Sequence, residues 1–230
     1  MLADKVRFAP RGIRMWQRAV STLPNNSHIK VFDNPSSPAS YLLTYLDTSP
    51  PSPKLAIGTS TAIPPTPQSF AANHRFMDIL NEVVGEYGHQ DEDVTSQARA
   101  YASPGGFNLG SGGTFFNKQR PNRGSSHQEG AGNSAKDSGV GGASAQGGAG
   151  GAGKGGWVHL SDRRNPPDFG RIAWPEDILG SAEVDSHGQV VGRVQLSGTY
   201  RIVTNEGILG LSPFLEGKLI DRLKREESKS

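Results

Sequence analysis

The chain has 230 residues, enough for one domain or two small ones, and its 34% hydrophobic content is low for a compact globule. It has no cysteine, which excludes disulfide staples, thiolate chemistry and Cys-based zinc or iron–sulfur sites. A net charge of +2 is not that of a polycation built for nucleic acid, and no apolar run approaches the roughly eighteen residues that a membrane-spanning helix needs. These properties describe a soluble, intracellular protein.

At the N-terminus Arg7, Arg11, Arg14 and Arg18 recur at helical spacing and share one face, with Phe8, Ile13, Met15, Trp16, Ala19 and Val20 on the other. After Asp4 no acidic residue appears before Asp33. An arginine-rich, acid-poor amphipathic start is the pattern of a mitochondrial targeting segment, here residues 1–24. The alternative is a cytosolic protein in which the same stripe is a surface or membrane-surface helix.

Residues 27–103 read as an α+β module. Residues 28–32 and 41–46 are β-rich and bounded by Asn34-Pro35 and Ser49-Pro50-Pro51, and residues 54–58 are a third, shorter strand candidate. Phe76, Ile79, Leu80, Val83, Val84 and Tyr87 then form an amphipathic helical stripe, for which Ser69 supplies a cap and Gly88 a stop. A second helix is expected from Asp91 or Glu92 to Ala102, with acids in its first turn.

More than half of the glycines fall in residues 104–156. The stretch 139–156 has one aliphatic side chain larger than alanine, Val140, so it reads as a disordered tether. Within that region Phe107, Leu109, Phe115 and Phe116 could add a strand or an anchor. Lys118, Arg120 and Arg123 beside Phe115 and Phe116 are a small basic-aromatic patch of the kind that stacks on single-stranded RNA.

Residues 157–230 read as a second α+β module. A strand is expected at 157–160, and a helical turn starts at Pro175. Hairpins are expected around 185–188 and 205–207, and a last helix is capped by Ser212 with Pro213 at its first position. Leu215, Leu219, Ile220 and Leu223 would be its buried edge, and its last turn is basic. The whole chain is therefore expected to be α+β: small, mostly antiparallel sheets with flanking helices, interrupted by a long glycine-rich insertion. Whether the two modules fold apart or as one composite domain stays open at this point.

The segments WVHLSDRRNPPDFGRI at 157–172, WPEDILG at 174–180, GTYRIVT at 198–204 and GILGLSP at 207–213 resemble an uncharacterised family of fungal proteins of unknown function. The resemblance extends more loosely over residues 64–102. It implies a folded module and no activity, cofactor or substrate.

The densest polar constellation is His159, Asp162, Arg163, Arg164, Asp168, Arg171, Glu176 and Asp177. An acid–base pair or a carboxylate-clamping arginine could be drawn from it, with His159, Asp162, Arg164, Asp168 and Glu176 as the residues to test. The default reading of the same charges is salt bridges and turn caps around the Pro166-Pro167 loop. The six histidines are scattered without HxxxH or HExxH spacing, Gly-x-Ser-x-Gly does not occur, and the glycine clusters at 109–113 and 150–156 lack the frame of a phosphate loop. No metal and no cofactor is expected. The reading favoured is a non-enzymatic protein-binding or assembly factor with an unidentified protein partner. An enzyme using loop 159–177 and an RNA binder using residues 115–123 are the alternatives.

Overall fold

The computed structural model describes residues 21–102, 155–168 and 171–229. The arginine stripe of residues 1–20, the aromatic residues 107–117, the basic-aromatic patch 115–123 and the glycine-rich run up to residue 154 lie outside the described residues.

Five short strands open the fold: β1 (Ser21–Leu23), β2 (Asn26–Asp33), β3 (Tyr41–Thr44), β4 (Gly58–Ser60) and β5 (Phe70–Ala72). Each pairs antiparallel with its neighbour in sequence, which gives the order β1-β2-β3-β4-β5. Two helices follow, α1 (His74–Tyr87) and α2 (Glu92–Ala102), separated by a tight 3-10 turn at Gly88–Gln90. A second antiparallel sheet contains β6 (Gly156–Ser161), β7 (Ile178–Val184) and β8 (Val190–Leu196), in the order β6-β7-β8. A two-residue hairpin, β9 (Val203–Thr204) with β10 (Gly207–Ile208), leads to α3 (Pro213–Glu227). The fold is α+β, with mostly antiparallel sheets and, among the described residues, three α-helices.

Alternation decides which face of β2 is internal: Ile29 and Val31 enter the main core, while Phe32 joins Leu42 and Ala56 in a small cluster of its own. On α1 Phe76, Ile79, Leu80, Val83 and Val84 of the predicted stripe are fully buried, while Tyr87 at its end is partly buried. Its cap differs from the sequence expectation. Asn73, not Ser69, accepts the Arg75 N–H at 3.0 Å, and its amide donates to the carbonyls of Lys54 (2.9 Å) and Ala56 (2.8 Å). Ser69 closes a turn with Thr66, because β5 intervenes between that turn and the helix. The third strand also sits later than expected. Residues 55–57 form a buried turn tied by the Ile57 N–H to the Leu43 carbonyl (2.8 Å), and pairing begins at Gly58.

Two strands fall at the edges of the segments read from the sequence. Ser21–Leu23, inside the segment 1–24, pair with β2. At the other end of the insertion, Gly156 belongs to β6 and pairs with Val184. Gly88 does end α1, by donating its N–H to the Val84 carbonyl, but with φ −57° it needs no left-handed backbone. What it supplies is room, since a Cβ there would lie 2.9 Å from Val194 Cγ2 and 3.1 Å from Leu160 Cδ2. The second sheet therefore packs closely over the end of α1.

The buried apolar side chains from both sides of the insertion form one contiguous core. Leu43, Phe76 and Leu80 on one side share it with Leu160, Val184, Leu215 and Leu219 on the other. Polar links follow the same seam. Asn26 donates to the Leu209 carbonyl (3.3 Å), Arg163 forks onto Asp93 (2.8 Å for both bonds), and Arg222 pairs with Glu82 (2.8 Å). The Ser212 hydroxyl, which caps α3, also bonds Asp91, whose carboxylate caps the start of α2 through the Asp93 N–H.

Strand pairing at β4 leaves no space for a side chain at Gly58, where a Cβ would fall 2.3 Å from the Ala71 carbonyl oxygen. Gly58→Ala is expected to destabilise the fold by about 1–3 kcal/mol, because a backbone atom cannot rotate aside. Urea unfolding of the variant measures this, and an unchanged midpoint would show that β4 and β5 are not paired as described.

Candidate functional site

The chain direction of β6 sets up the site. Val158, Leu160 and Asp162 point inward, and Trp157 and His159 point outward. Asp162 is thus carried into the interior with 1% exposure, where its N–H donates to the Asp177 carbonyl (2.7 Å). Its Oδ1 accepts the N–H groups of Arg164 and Gly210, both at 2.8 Å, and its Oδ2 accepts the Tyr200 hydroxyl at 2.7 Å. Burial pushes the Asp162 carboxyl above the usual carboxylate range, while the Arg164 charge and these donors pull it back. Burial and the Asp162 charge hold the Tyr200 phenol well above its ordinary value.

Arg164 fills the centre of the cluster, with its side chain 3% exposed. Its Nε donates to Asp177 Oδ1 (2.7 Å), Nη1 to the Ile202 carbonyl (2.8 Å), and Nη2 to the carbonyls of Glu176 (3.0 Å) and Arg201 (2.7 Å). Four of the five N–H donors of the guanidinium are therefore committed, and its Cζ lies 5.4 Å from the Tyr200 ring centroid. One side chain ties residue 164 to residues 176–177 and 201–202, and Asp162 adds Tyr200 and Gly210. Arg164, Asp162 and Asp177 meet each other's charge and hydrogen-bonding needs at these distances. The arrangement is that of a structural clamp, with its polar atoms turned toward main chain and away from solvent.

The other sequence-derived candidates are dispersed. His159 lies on the outer face of β6, where Nδ1 bonds the Ser181 hydroxyl (2.8 Å) and burial lowers the imidazole pKa. Asp168 is exposed, and its main-chain carbonyl accepts the Arg171 N–H (2.9 Å). Glu176 enters the clamp through its carbonyl alone, which also accepts the Arg201 N–H (3.1 Å). So the structure brings together Asp162 and Arg164, adds Asp177, and leaves the side chains of His159, Asp168 and Glu176 outside. Tyr200 carries no such signal in the sequence, because it is 38 residues from Asp162 and sits in a run that reads only as strand.

Above the clamp, the loop 171–174 turns two large apolar side chains outward. Ile172 is 40% exposed and Trp174 56%, while Ala173 between them is buried. The loop is held on its C-terminal side. The Trp174 carbonyl accepts the Asp177 N–H (2.8 Å), the Thr199 hydroxyl donates to the Pro175 carbonyl (2.7 Å), and Arg164 grips Glu176 and Asp177.

A separate cleft of about 390 Å³ is lined by Lys54, Leu55, Asn73, Arg75 and Glu226. Its carboxylate, Glu226, accepts Arg75 (2.7 Å), Lys229 (3.1 Å) and Arg222, and these cations hold its pKa down to about 2. Among the described residues no three His, Asp or Glu side chains converge as a metal site requires, and no helix is long and apolar enough to cross a membrane. Comparison with protein-family models, with curated proteins and with solved structures finds no match.

Proposed function

We propose that this protein is a non-enzymatic binding or assembly factor whose contact point is the loop carrying Ile172 and Trp174. The observation that carries the reading is the pairing of a solvent-facing tryptophan, 56% exposed, with a buried arginine clamp beneath it. Exposing an indole forgoes hydrophobic stabilisation of the free chain, and a rigid anchor offsets that when a partner covers it. Tryptophan is also the side chain most enriched at interface hot spots. The clamp supports the same reading from the other side, since Asp162 and Arg164 are spent on holding loops and are not open to a substrate. The arginine stripe at Arg7, Arg11, Arg14 and Arg18 supports a mitochondrial setting for the assembly, with the cytoplasm as the alternative.

In extracts of its own cells the full chain is expected to elute well above its 24.5 kDa. Trp174→Ser should move it toward the monomer position, as loss of a hot-spot side chain costs about 2 kcal/mol or more. Its melting behaviour should stay within about 0.5 kcal/mol of the parent, as for other surface substitutions. A parent that already runs as a monomer, or a variant that stays in the large fraction, would refute the reading.

A further inference from the structure

We infer that the outer face of the β6-β7-β8 sheet is a second recognition surface, and that it takes an arginine side chain from an extended segment of a partner protein. It presupposes the binding-factor reading but is independent of Trp174. The register makes the juxtaposition. Trp157 pairs directly with Glu183, and Glu183 with Val191. Directly opposed residues share a face with Cβ atoms about 4.5–5.5 Å apart, so the indole, the carboxylate and the isopropyl group stand in one row across the sheet. All three are exposed: Trp157 at 36%, Val191 at 48%, and Glu183 between them. The opposite face of the same strands, with Val158, Ala182, Val184 and Val194, is in the core.

The chemistry of the row is selective. Among the described residues Glu183 makes no ion pair, and the nearby Asp185 carboxylate is used by the hairpin, accepting the N–H groups of His187 and Gln189 at 2.8 Å. Arg193 lies where the ladder between β7 and β8 loses register, and it forms no ion pair with Glu183. A carboxylate that pairs with no cation among the described residues, in register with a tryptophan, is complementary to a guanidinium. The ring attracts the cation through its quadrupole, and the carboxylate accepts the N–H fork in its plane. Val191 completes the fit by contacting the aliphatic stem. The next row, His159, Ser181 and Gln195, is polar, and its His159–Ser181 hydrogen bond leaves Gln195 to meet the partner's main chain. A lysine would satisfy the charge but not the planar stacking, so arginine is the better occupant.

The test uses the intact chain, labelled with ¹⁵N, and three capped five-residue peptides alternating valine with arginine, lysine or glutamate. The arginine peptide is expected to shift the Trp157 indole N–H and the Glu183 amide saturably, and the glutamate peptide to leave them in place. Glu183→Gln and Trp157→Leu should each weaken the arginine peptide by about threefold or more, the scale of an exposed ion pair and of an exposed cation–π contact respectively. Both positions are on the surface, and an unchanged spectrum elsewhere confirms the fold. Absence of a saturable response at these two signals would overturn the inference. So would equal binding to Glu183→Gln, equal binding of the lysine peptide, or a response confined to the Trp174 indole. The Trp174→Ser protein separates the two proposals: it should lose its partner in cell extract yet keep the arginine-peptide response.

Discussion

Replacing Arg164 with methionine is expected to lower the unfolding free energy by about 3–5 kcal/mol, the cost of leaving buried carboxylates without their cation. Asp162 and Asp177 are each 1% exposed, and Arg164 is the counter-charge to both, at 3.8 and 2.7 Å. Three carbonyls, of Glu176, Arg201 and Ile202, lose a donor at the same time. A domain with about 5–15 kcal/mol in total would keep its fold but with a thin margin. Arg164→Lys should recover only part of the loss, because a single ammonium cannot reach four acceptors spread around a planar fork. Unfolding by urea, followed by tryptophan fluorescence, measures both. The pH dependence carries the sign of the mechanism. Burial already raises the Asp162 pKa, and without Arg164 it rises further. A carboxyl whose folded pKa lies above its unfolded value contributes stability at low pH and loses it as pH rises. The penalty in Arg164→Met should therefore be largest near neutrality and shrink toward about pH 4, near the ordinary carboxylate pKa. A penalty that does not change with pH would mean that packing, not charge, is what the arginine supplies.

That clamp was only partly legible in the sequence, and the reason is physical. The charges in loop 162–177 announce themselves by type, so Asp162, Arg164, Glu176 and Asp177 could be named. Three of the four groups that accept from the Arg164 side chain are main-chain carbonyls, however, and carbonyls leave no mark on sequence. Tyr200 reaches Asp162 only through tertiary packing. The helices were legible because each carries its signal along consecutive turns. The stripe from Phe76 to Val84 is buried as its period requires, and Ser212 with Pro213 starts α3 with the capping bond to the Leu215 N–H at 3.1 Å. The short strands were not. β5 has three residues, too few for an alternation to show, and its pairing with β4 moved the helix cap from Ser69 to Asn73. The exposed loop at Ile172 and Trp174 was hidden for a different reason, since an apolar residue in a sequence looks the same whether it is buried or presented.

Leu219→Ala is expected to cost about 2–5 kcal/mol, since Leu219 is fully buried on α3 and the neighbouring helices cannot collapse into the space. What matters more is where the loss is felt. α3 comes from the chain after the insertion and packs against α1, which comes before it. Leu219 shares its core with Leu43 and Phe76 on one side and with Leu160 and Val184 on the other. If that core unfolds as one unit, amide protection should fall by the same free energy in β2, β3 and α1 as in β6 and β7, because all of them exchange through the same global opening. Two independently folding modules would give a different result: α3 and the second sheet would lose protection while β2 and β3 kept theirs. Native-state hydrogen exchange on the parent and on Leu219→Ala distinguishes these outcomes directly. Uniform loss is the expected one, because a helix edge with 0% exposure at Leu219 and Leu223 and 1% at Leu215 has its partners on both sides of the insertion. The clamp would then inherit its rigidity from the whole domain, and Arg164→Met should lower protection in β2 as well as in β7.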